Sequence, residues 1–411
     1  MVAPTSQRPS QRTPGRATRA HRVVILGGGA GGVSVAARLL REKPGLDVAI
    51  IEPSEEHHYQ PGWTLVGGGE MRRRDTVRAQ RSVLPRAAEW IRASAAAIDP
   101  DSRRIELEDG TSVEYELLVV AVGIRCRWEA IPGLPETLGR DGVCSNYSGE
   151  HVERTWEFIQ GLSGGRAVFT HPATPIKCGG APQKIMYLAA DHWRRRRVLE
   201  ETEIRFGIAT PKIFGAAHYV PPLERVAADY GIGVLYRHDL REIRPAAREA
   251  VFHDLDAETE VVLPYDLLHV TPPMGPPAFI AESPLAGEGG WVAVDRETCR
   301  HIRYPDVFSL GDVSSLPTSK TAAAIRKQAP VVVTNLLAAL EERTGHAAYD
   351  GYTSCPLVTG YGRLILAEFD YDGNPQETFP FDQAKPRWTM YQLKKRLLPP
   401  LYWHGMLKGR C

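Results

Sequence analysis

The sequence lacks any uninterrupted apolar run of about 18 residues or more, so no membrane-spanning helix is expected. Cysteine is scarce, with six in 411 residues. None of Cys126, Cys144, Cys178, Cys299, Cys355 and Cys411 falls in a CxxC or zinc-type cluster, which excludes a disulfide scaffold and a structural zinc site. The histidines show no metal-ligand spacing, so no metal is expected. The net charge of +1 argues against a nucleic-acid binder, which would carry a strongly basic face. Acidic residues are missing from both ends of the chain. Residues 1–20 contain none and have no apolar centre, which speaks against a secretory signal; their Ser, Pro and Arg content reads as a disordered leader. After Asp382 no acid follows, but seven Lys or Arg do. The bulk is ordinary globular protein, 43% apolar and 24% charged, long enough for two or three domains.

The first motif lies in "HRVVILGGGAGGVSVAARLL". A buried-strand run, Val23–Leu26, leads into GxGxxG at Gly27, Gly29 and Gly32, and a helical pattern follows. "LDVAIIEPSEE" then supplies a second strand ending in Glu52, twenty residues beyond Gly32. The three glycines permit the tight turn, the approach of a pyrophosphate and close helix–strand packing, and Glu52 can accept from a ribose. The helix start offers unpaired N–H groups to phosphate. Two later stretches, "YELLVVAVGIRCRWEAIPG" ending its strand at Gly123 and "YPDVFSLGDVSSLP" ending at Gly311-Asp312, resemble further motifs of flavoproteins with two dinucleotide-binding domains. That resemblance implies FAD, with Asp312 on the ribityl chain. The helix pattern in "KTAAAIRKQAPVVVTNLLAAL" would aim its positive end at the flavin ring, with Lys320 placed to help.

Residues 165–290 repeat the strand–helix alternation, which implies a second Rossmann-like unit. Its first strand should be followed by another GxGxxG for NAD(P)H. Instead the chain reads "THPATPIKCGGAPQKIM", with seven residues, two of them prolines, between Thr170 and Cys178. A pyrophosphate has no cradle there, so a nicotinamide is not the expected electron donor. Cys178 is either a small buried apolar group or, beside a lysine and a helix start, an activated thiolate. Cys355 opens a strand pair much later; spacing alone does not say that the two meet.

"HHYQPGWTLVGGG", "TPIKCGGAPQKIMYL", "YDGYTSCPLVTGYGRLILAEFDYDG" and "ETFPFDQ" closely resemble sulfide:quinone oxidoreductases of the mitochondrial-like subgroup, over about residues 21–407. The resemblance implies an α/β fold of two tandem Rossmann-like domains, of flavin disulfide-reductase type, with a C-terminal membrane-docking region. It divides the chain into a FAD domain (21–160 and 291–345), a second Rossmann-like domain without GxGxxG (161–290) and a quinone- and membrane-facing region (346–411). It makes Cys178 and Cys355 the redox-active pair, and Gly27, Gly29, Gly32, Glu52, Gly123, Asp312 and Lys320 the FAD positions. FAD is expected to be non-covalent, since "EPSEEHHYQPGW" lacks the cysteine of covalent relatives. The implied chemistry is thiolate–disulfide exchange with sulfide, leaving a persulfide on Cys178 and a thiolate on Cys355 facing the flavin. Ubiquinone or menaquinone would take the electrons. Glutathione, sulfite, cyanide or sulfide would take the sulfur, and a homo-oligomer is compatible. Cys144 sits where some bacterial relatives place a third functional cysteine, and otherwise reads as a quiet thiol; Cys126, Cys299 and Cys411 read as structural.

Residues 386–407, "PRWTMYQLKKRLLPPLYWHGML", combine apolar and interfacial side chains with Lys394, Lys395 and Arg396. Such a segment suits the surface of a bacterial or mitochondrial inner membrane or, equally on composition, a helix pair packed on the core. Pro399-Pro400 is expected to break it into two short helices. Tyr361, Phe379, Phe381 and Tyr391 are candidates to line a quinone pocket. Three rivals stand: an NADH:quinone reductase, the flavin subunit of a cytochrome-linked sulfide dehydrogenase, and a non-catalytic flavin-binding signalling protein.

Overall fold

The computed structural model describes residues 18–343 and 346–411. β1 (Thr18–Leu26), α1 (Ala30–Glu42) and β2 (Val48–Ile51) form the expected βαβ unit. β1 begins inside the segment read as a leader, with Thr18–Ala20 pairing to Ser112–Glu114; the rest of that segment lies outside the described residues. Four strands run parallel in the order Glu89–Ile91, β2, β1, Ser112–Val120. Val307–Ser309 adds in parallel to the far end of Ser112–Val120. An antiparallel pair, Ala95–Asp99 and Arg104–Leu107, extends its near end. Strand runs such as Val23–Leu26 and Leu118–Val120 are almost fully buried, so both faces of the sheet are covered there, which is why they read as continuous apolar stretches. The helix Ala322–Leu340 packs there beside α1.

A second parallel sheet has the order Val143–Cys144, Leu267–His269, Gly165–His171, Thr202–Ile208, Gly233–Tyr236. The helix Ala181–Arg195 covers it, burying Ile185–Ala190 and Trp193. The hairpin of Thr353–Gly360 and Arg363–Phe369 shares that helix's core through Cys355, Leu357, Leu364 and Ile365.

From Trp388 to Lys408 the chain is one continuous helical run rather than two broken helices. Pro399 and Pro400 lack N–H groups, and on either side the run widens into i→i+5 turns, Leu393–Leu397 and Leu401–Gly405, one recognised way of absorbing missing helix bonds. No described helix is long and apolar enough to cross a membrane.

Candidate active site

The loop 172–180 carries the strand Gly165–His171 into the helix Ala181–Arg195. It is not an open cradle. Lys177 pairs with Lys320 in a parallel bridge, and the Cys178 N–H donates to the Lys320 carbonyl at 2.8 Å. Cys178 takes a left-handed φ of 56°, and its own carbonyl accepts from Ala181 N at 2.7 Å as the helix opens. Pro182 occupies the first turn, where a missing N–H costs no helix bond.

Cys355, fully buried, projects from the hairpin onto this loop. Gly180 makes the approach feasible: a Cβ there would lie 2.2 Å from Leu357 Cδ2 and 2.9 Å from Cys355 Sγ. The two sulfurs, 177 positions apart in sequence, lie 3.3 Å from each other as free thiols.

The cation at this pair is Lys184, not the sequence-adjacent Lys177, whose ammonium sits 5.7 Å from the Trp63 ring centroid. Lys184 is 2% exposed, and its Nζ donates to Cys178 Sγ at 2.9 Å. The Cys355 thiol, followed by the charge and hydrogen bond of Lys184, holds Cys178 well below the ordinary thiol range against the opposing effect of burial. The same contact and burial push Cys355 well above it. In the reduced pair these directions, and the lysine hydrogen bond, favour the negative charge on Cys178. A second lysine, Lys394, reaches the same place from the C-terminal helical run. It is 4% exposed, donates to Pro61 O at 3.2 Å, and lies within electrostatic range of Lys184 and both cysteines.

Through its pairing with Lys320 the Cys178 loop joins the region beyond the carboxyl ends of the first sheet's strands, where α/β folds bind dinucleotides. Gly27, Gly29, Glu52, Gly123 and Asp312 follow such ends, while Gly32 lies in the first turn of α1 and Lys320 just before the helix Ala322–Leu340. Gly27 has φ 105°, and a Cβ there would sit 2.5 Å from Ala121 O. At Gly32 it would sit 1.9 Å from Gly27 O, while Gly29 faces open space. The first turn of α1 has no acidic residue and no side-chain cap, which leaves its donors for an anion. Glu52 accepts from Gly28 N at 2.7 Å and Ser54 N at 2.8 Å, and a carboxylate retains further lone pairs for hydroxyl groups. Gly123 is also open on its side-chain face. Asp312 is half-buried in the turn Gly311–Val313, and burial raises its carboxyl. Lys320 donates to the carbonyls of Asp312 and Ser314 at 2.6 and 3.2 Å, lies 4.0 Å over the Trp291 ring, and is lowered by burial to about 8. Tight packing under Gly27 and Gly32, an open Gly29 and acids on both flanks fit FAD.

The remaining candidates separate. Burial pushes Cys144 and Cys299 up to about 12, and also raises Cys126 and Cys411. His57, lowered by burial to about 4, is neutral; its Nδ1–H lies 3.2 Å from Gly28 O, and its Nε2 accepts from Tyr402 Oη at 2.6 Å. Tyr391 donates to Glu70 at 2.7 Å, Tyr361 to the carbonyl of Gly68 at 2.7 Å, and Phe379 stacks on Phe381. In the C-terminal run, Met390, Tyr391, Tyr402, Trp403, Met406 and Leu407 are buried in the protein's cores, and only Trp388, Leu397 and Leu401 are large exposed apolar groups. Sequence reading places Lys394 among the membrane-facing basic residues and marks neither Lys184 nor Asp191; all three are buried. For Lys184 there was a signal: a lysine inside the otherwise apolar helix face of "KIMYLAA".

The family model for pyridine nucleotide-disulphide oxidoreductases matches residues 21–155. The chain is 47% identical to the mitochondrial sulfide:quinone oxidoreductase of Mus musculus, over 95% of this chain and 87% of that protein. It is 43% identical to the mitochondrial sulfide:quinone oxidoreductase of Dictyostelium discoideum, over 100% and 91%. Its fold matches the solved sulfide:quinone oxidoreductase of Aquifex aeolicus with a TM-score of 0.81 at 19% identity, over 95% and 92% of the two chains. With this extent of identity the chain belongs to the sulfide:quinone oxidoreductase family.

Proposed function

We propose that the protein oxidises sulfide at the Cys178–Cys355 pair and reduces a quinone. The observation that carries this is the 3.3 Å contact between two cysteines remote in sequence, one of them held by a buried lysine. In the disulfide form, hydrosulfide attacks Cys355 Sγ. The S–S bond breaks, its electron pair goes to Cys178 as thiolate beside Lys184, and Cys355 becomes Cys–S–SH. Cys178 is the better leaving group because its thiolate is the stabilised one. Glutathione, sulfite, cyanide or a second sulfide then takes the outer sulfur, leaving Cys355 as a thiol. Closing the disulfide again releases two electrons and one proton. Gly27, Gly29, Gly32, Glu52, Gly123 and Asp312 would hold FAD without a covalent bond, with Lys320 beside them, and bound FAD supplies the two-electron acceptor between the thiols and the quinone.

Residues 21–160 and 291–345 serve as the flavin domain, 161–290 as a Rossmann-like scaffold for the first cysteine, and 346–411 supply the second cysteine and the membrane face. Trp388, Leu397 and Leu401, exposed along the C-terminal run with Arg396, are suited to peripheral contact with a bilayer carrying ubiquinone or menaquinone. The test is anaerobic mixing of the flavin-loaded protein with sulfide. Rapid bleaching is expected, and neither Cys178→Ser nor Cys355→Ser should sustain sulfide-driven quinone reduction while both keep their flavin. Bleaching by NADH but not by sulfide would overturn the proposal in favour of a nicotinamide-linked reductase; bleaching by neither would favour a non-catalytic flavoprotein.

A further inference from the structure

Three buried polar side chains, His57, Gln80 and Tyr402, meet behind the GxGxxG turn and take no part in the proposed chemistry. They converge on Gly28, whose two polar groups are both tied down. Its N–H donates to Glu52 at 2.7 Å. Its carbonyl accepts from Gln80 Nε2 at 2.8 Å and lies 3.2 Å from His57 Nδ1. The packing is close, since a Cβ on Gly28 would sit 2.4 Å from Gln80 Nε2. His57 belongs to the strand Glu56–His58 and Gln80 to the short helix Gln80–Val83. Tyr402 comes from the C-terminal helical run, with its Oη 2.6 Å from His57 Nε2.

The partners assign the hydrogen-bonding roles. Gly28 O and Gln80 Oε1, 3.2 and 3.3 Å from His57 Nδ1, can only accept, so Nδ1 carries the proton. In a neutral imidazole Nε2 then holds a lone pair, and the Tyr402 hydroxyl donates to it. Tyr402 thus selects the tautomer that lets His57 join Gln80 in holding the Gly28 carbonyl. Peptide geometry carries the effect onward. In a trans peptide the carbonyl of one residue and the N–H of the next point in opposite directions. Holding the Gly28 carbonyl inward therefore turns the Gly29 N–H outward. That N–H has no protein partner among the described residues, and Gly29 is exposed, with open space on its side-chain face. The reverse orientation of this peptide would set the Gly28 carbonyl, an acceptor, against an anion. We propose that Gln80, His57 and Tyr402 are positioning residues that fix the Gly28–Gly29 peptide with its N–H toward the pyrophosphate of FAD, so that the C-terminal helical run helps set how tightly the flavin is held. Gln80 and His57 act one step from that donor, and Tyr402 acts two steps away.

This inference rests on the placement of FAD at the GxGxxG turn, and its test reads flavin binding rather than turnover. The FAD dissociation constant of the flavin-loaded full chain is measured by equilibrium dialysis, with flavin fluorescence as the signal. Gln80→Met keeps the length of the side chain and removes the donor. Tyr402→Phe removes only the hydroxyl and leaves the ring beside Tyr59, 4.8 Å between centroids. The dissociation constant should rise about tenfold in Gln80→Met and about threefold in Tyr402→Phe, both within the range of one neutral hydrogen bond. The phosphorus NMR resonances of bound FAD should shift in both variants, which loosened packing elsewhere would not cause. In a His57→Leu background, Tyr402→Phe should produce no further loss, because its effect passes through the imidazole. Parental affinity in Gln80→Met and Tyr402→Phe, unmoved phosphorus resonances, or additive losses in the double variant would overturn the proposal. If Gln80→Met fails to fold, the His57 and Tyr402 variants decide. Gly32→Ala tests the placement itself: parental FAD affinity there would overturn the flavin reading of this turn and the proposal with it, whereas parental affinity confined to the other variants overturns the proposal alone.

Discussion

Asp191 is the residue whose removal should most clearly uncouple the two cysteines. It sits late in the helix that begins just after Cys178, with its side chain 1% exposed. One carboxylate oxygen accepts from Arg363 at 3.0 Å and from Arg194; the other accepts from the Tyr361 N–H at 2.9 Å and pairs with Arg195 at 3.2 Å. Tyr361 and Arg363 form the turn of the hairpin that carries Cys355, so the carboxylate ties the cysteine helix to the cysteine hairpin. In Asp191→Ala the Tyr361 N–H loses its acceptor, a cost of about 1–3 kcal/mol. The bond to Arg363 contributes about 1.5 kcal/mol, at the low end for a charged partner because that arginine is 42% exposed. Arg194 and Arg195 are also exposed and return to water at little cost. The expected destabilisation is roughly 3 kcal/mol for Asp191→Ala and roughly half that for Asp191→Asn, which keeps an acceptor for the N–H. Urea unfolding followed by circular dichroism measures this, and sulfide-driven bleaching should slow several-fold at unchanged flavin content. Asp191→Ala within about 0.5 kcal/mol of the parent, the range of an ordinary surface substitution, would refute the clamp.

Three further outcomes are expected. Lys184→Met should move the pH midpoint of Cys178 alkylation upward. In the parent the thiolate is favoured in the folded state, so that contribution to the stability of the reduced protein is present above the unfolded thiol pKa and lost as pH falls through the folded one; a pH-stability profile of parent against variant checks the sign. Gly32→Ala should yield flavin-free protein, because its Cβ would sit 1.9 Å from Gly27 O, and absorbance at the flavin band reads this directly. Leu397→Ser with Leu401→Ser should reduce sedimentation with anionic vesicles and leave flavin content unchanged, whereas deletion of 386–411 should lose flavin as well, since it removes Tyr402 from His57 and Trp403, Met406 and Leu407 from the flavin-side core.

How far the site could be read from the sequence depended on how local its physics is. The GxGxxG and Glu52 unit was legible because every contact that shapes it lies within one βαβ unit. Both cysteines stood out through their flanking residues, yet their 3.3 Å contact did not, because it joins a helix start to a strand 177 residues later. Lys394 and Asp191 were hidden for the same reason: nothing in "QLKKRLL" distinguishes the lysine that turns inward from the one beside it, and Asp191 precedes an arginine run that reads as a solvated helix end. The C-terminal segment misled in another way. Its apolar content is real, but composition does not say which surface an apolar side chain covers. Tyr402, Trp403, Met406 and Leu407 cover the first core, which leaves only three large apolar groups of that run at the surface.

The replaced glycine loop shows how one topological position can carry a different electron donor. In a doubly wound fold the loop after the first strand lies where ligands bind, at the carboxyl end of the sheet. Here that loop is tied by backbone hydrogen bonding to Lys320, on the segment that leads into the helix Ala322–Leu340. Once it is fixed, the residues leading into the following helix present Cys178, and the first turn of that helix presents Lys184 to it. Gly180 then admits the hairpin bearing Cys355 to a distance that any side chain would block. The residues that a pyrophosphate would have needed, small and without side-chain bulk at a helix start, are nearly those that a second cysteine needs in order to approach. A loop that lacks the glycine turn of a nicotinamide site therefore brings two thiols to 3.3 Å from each other.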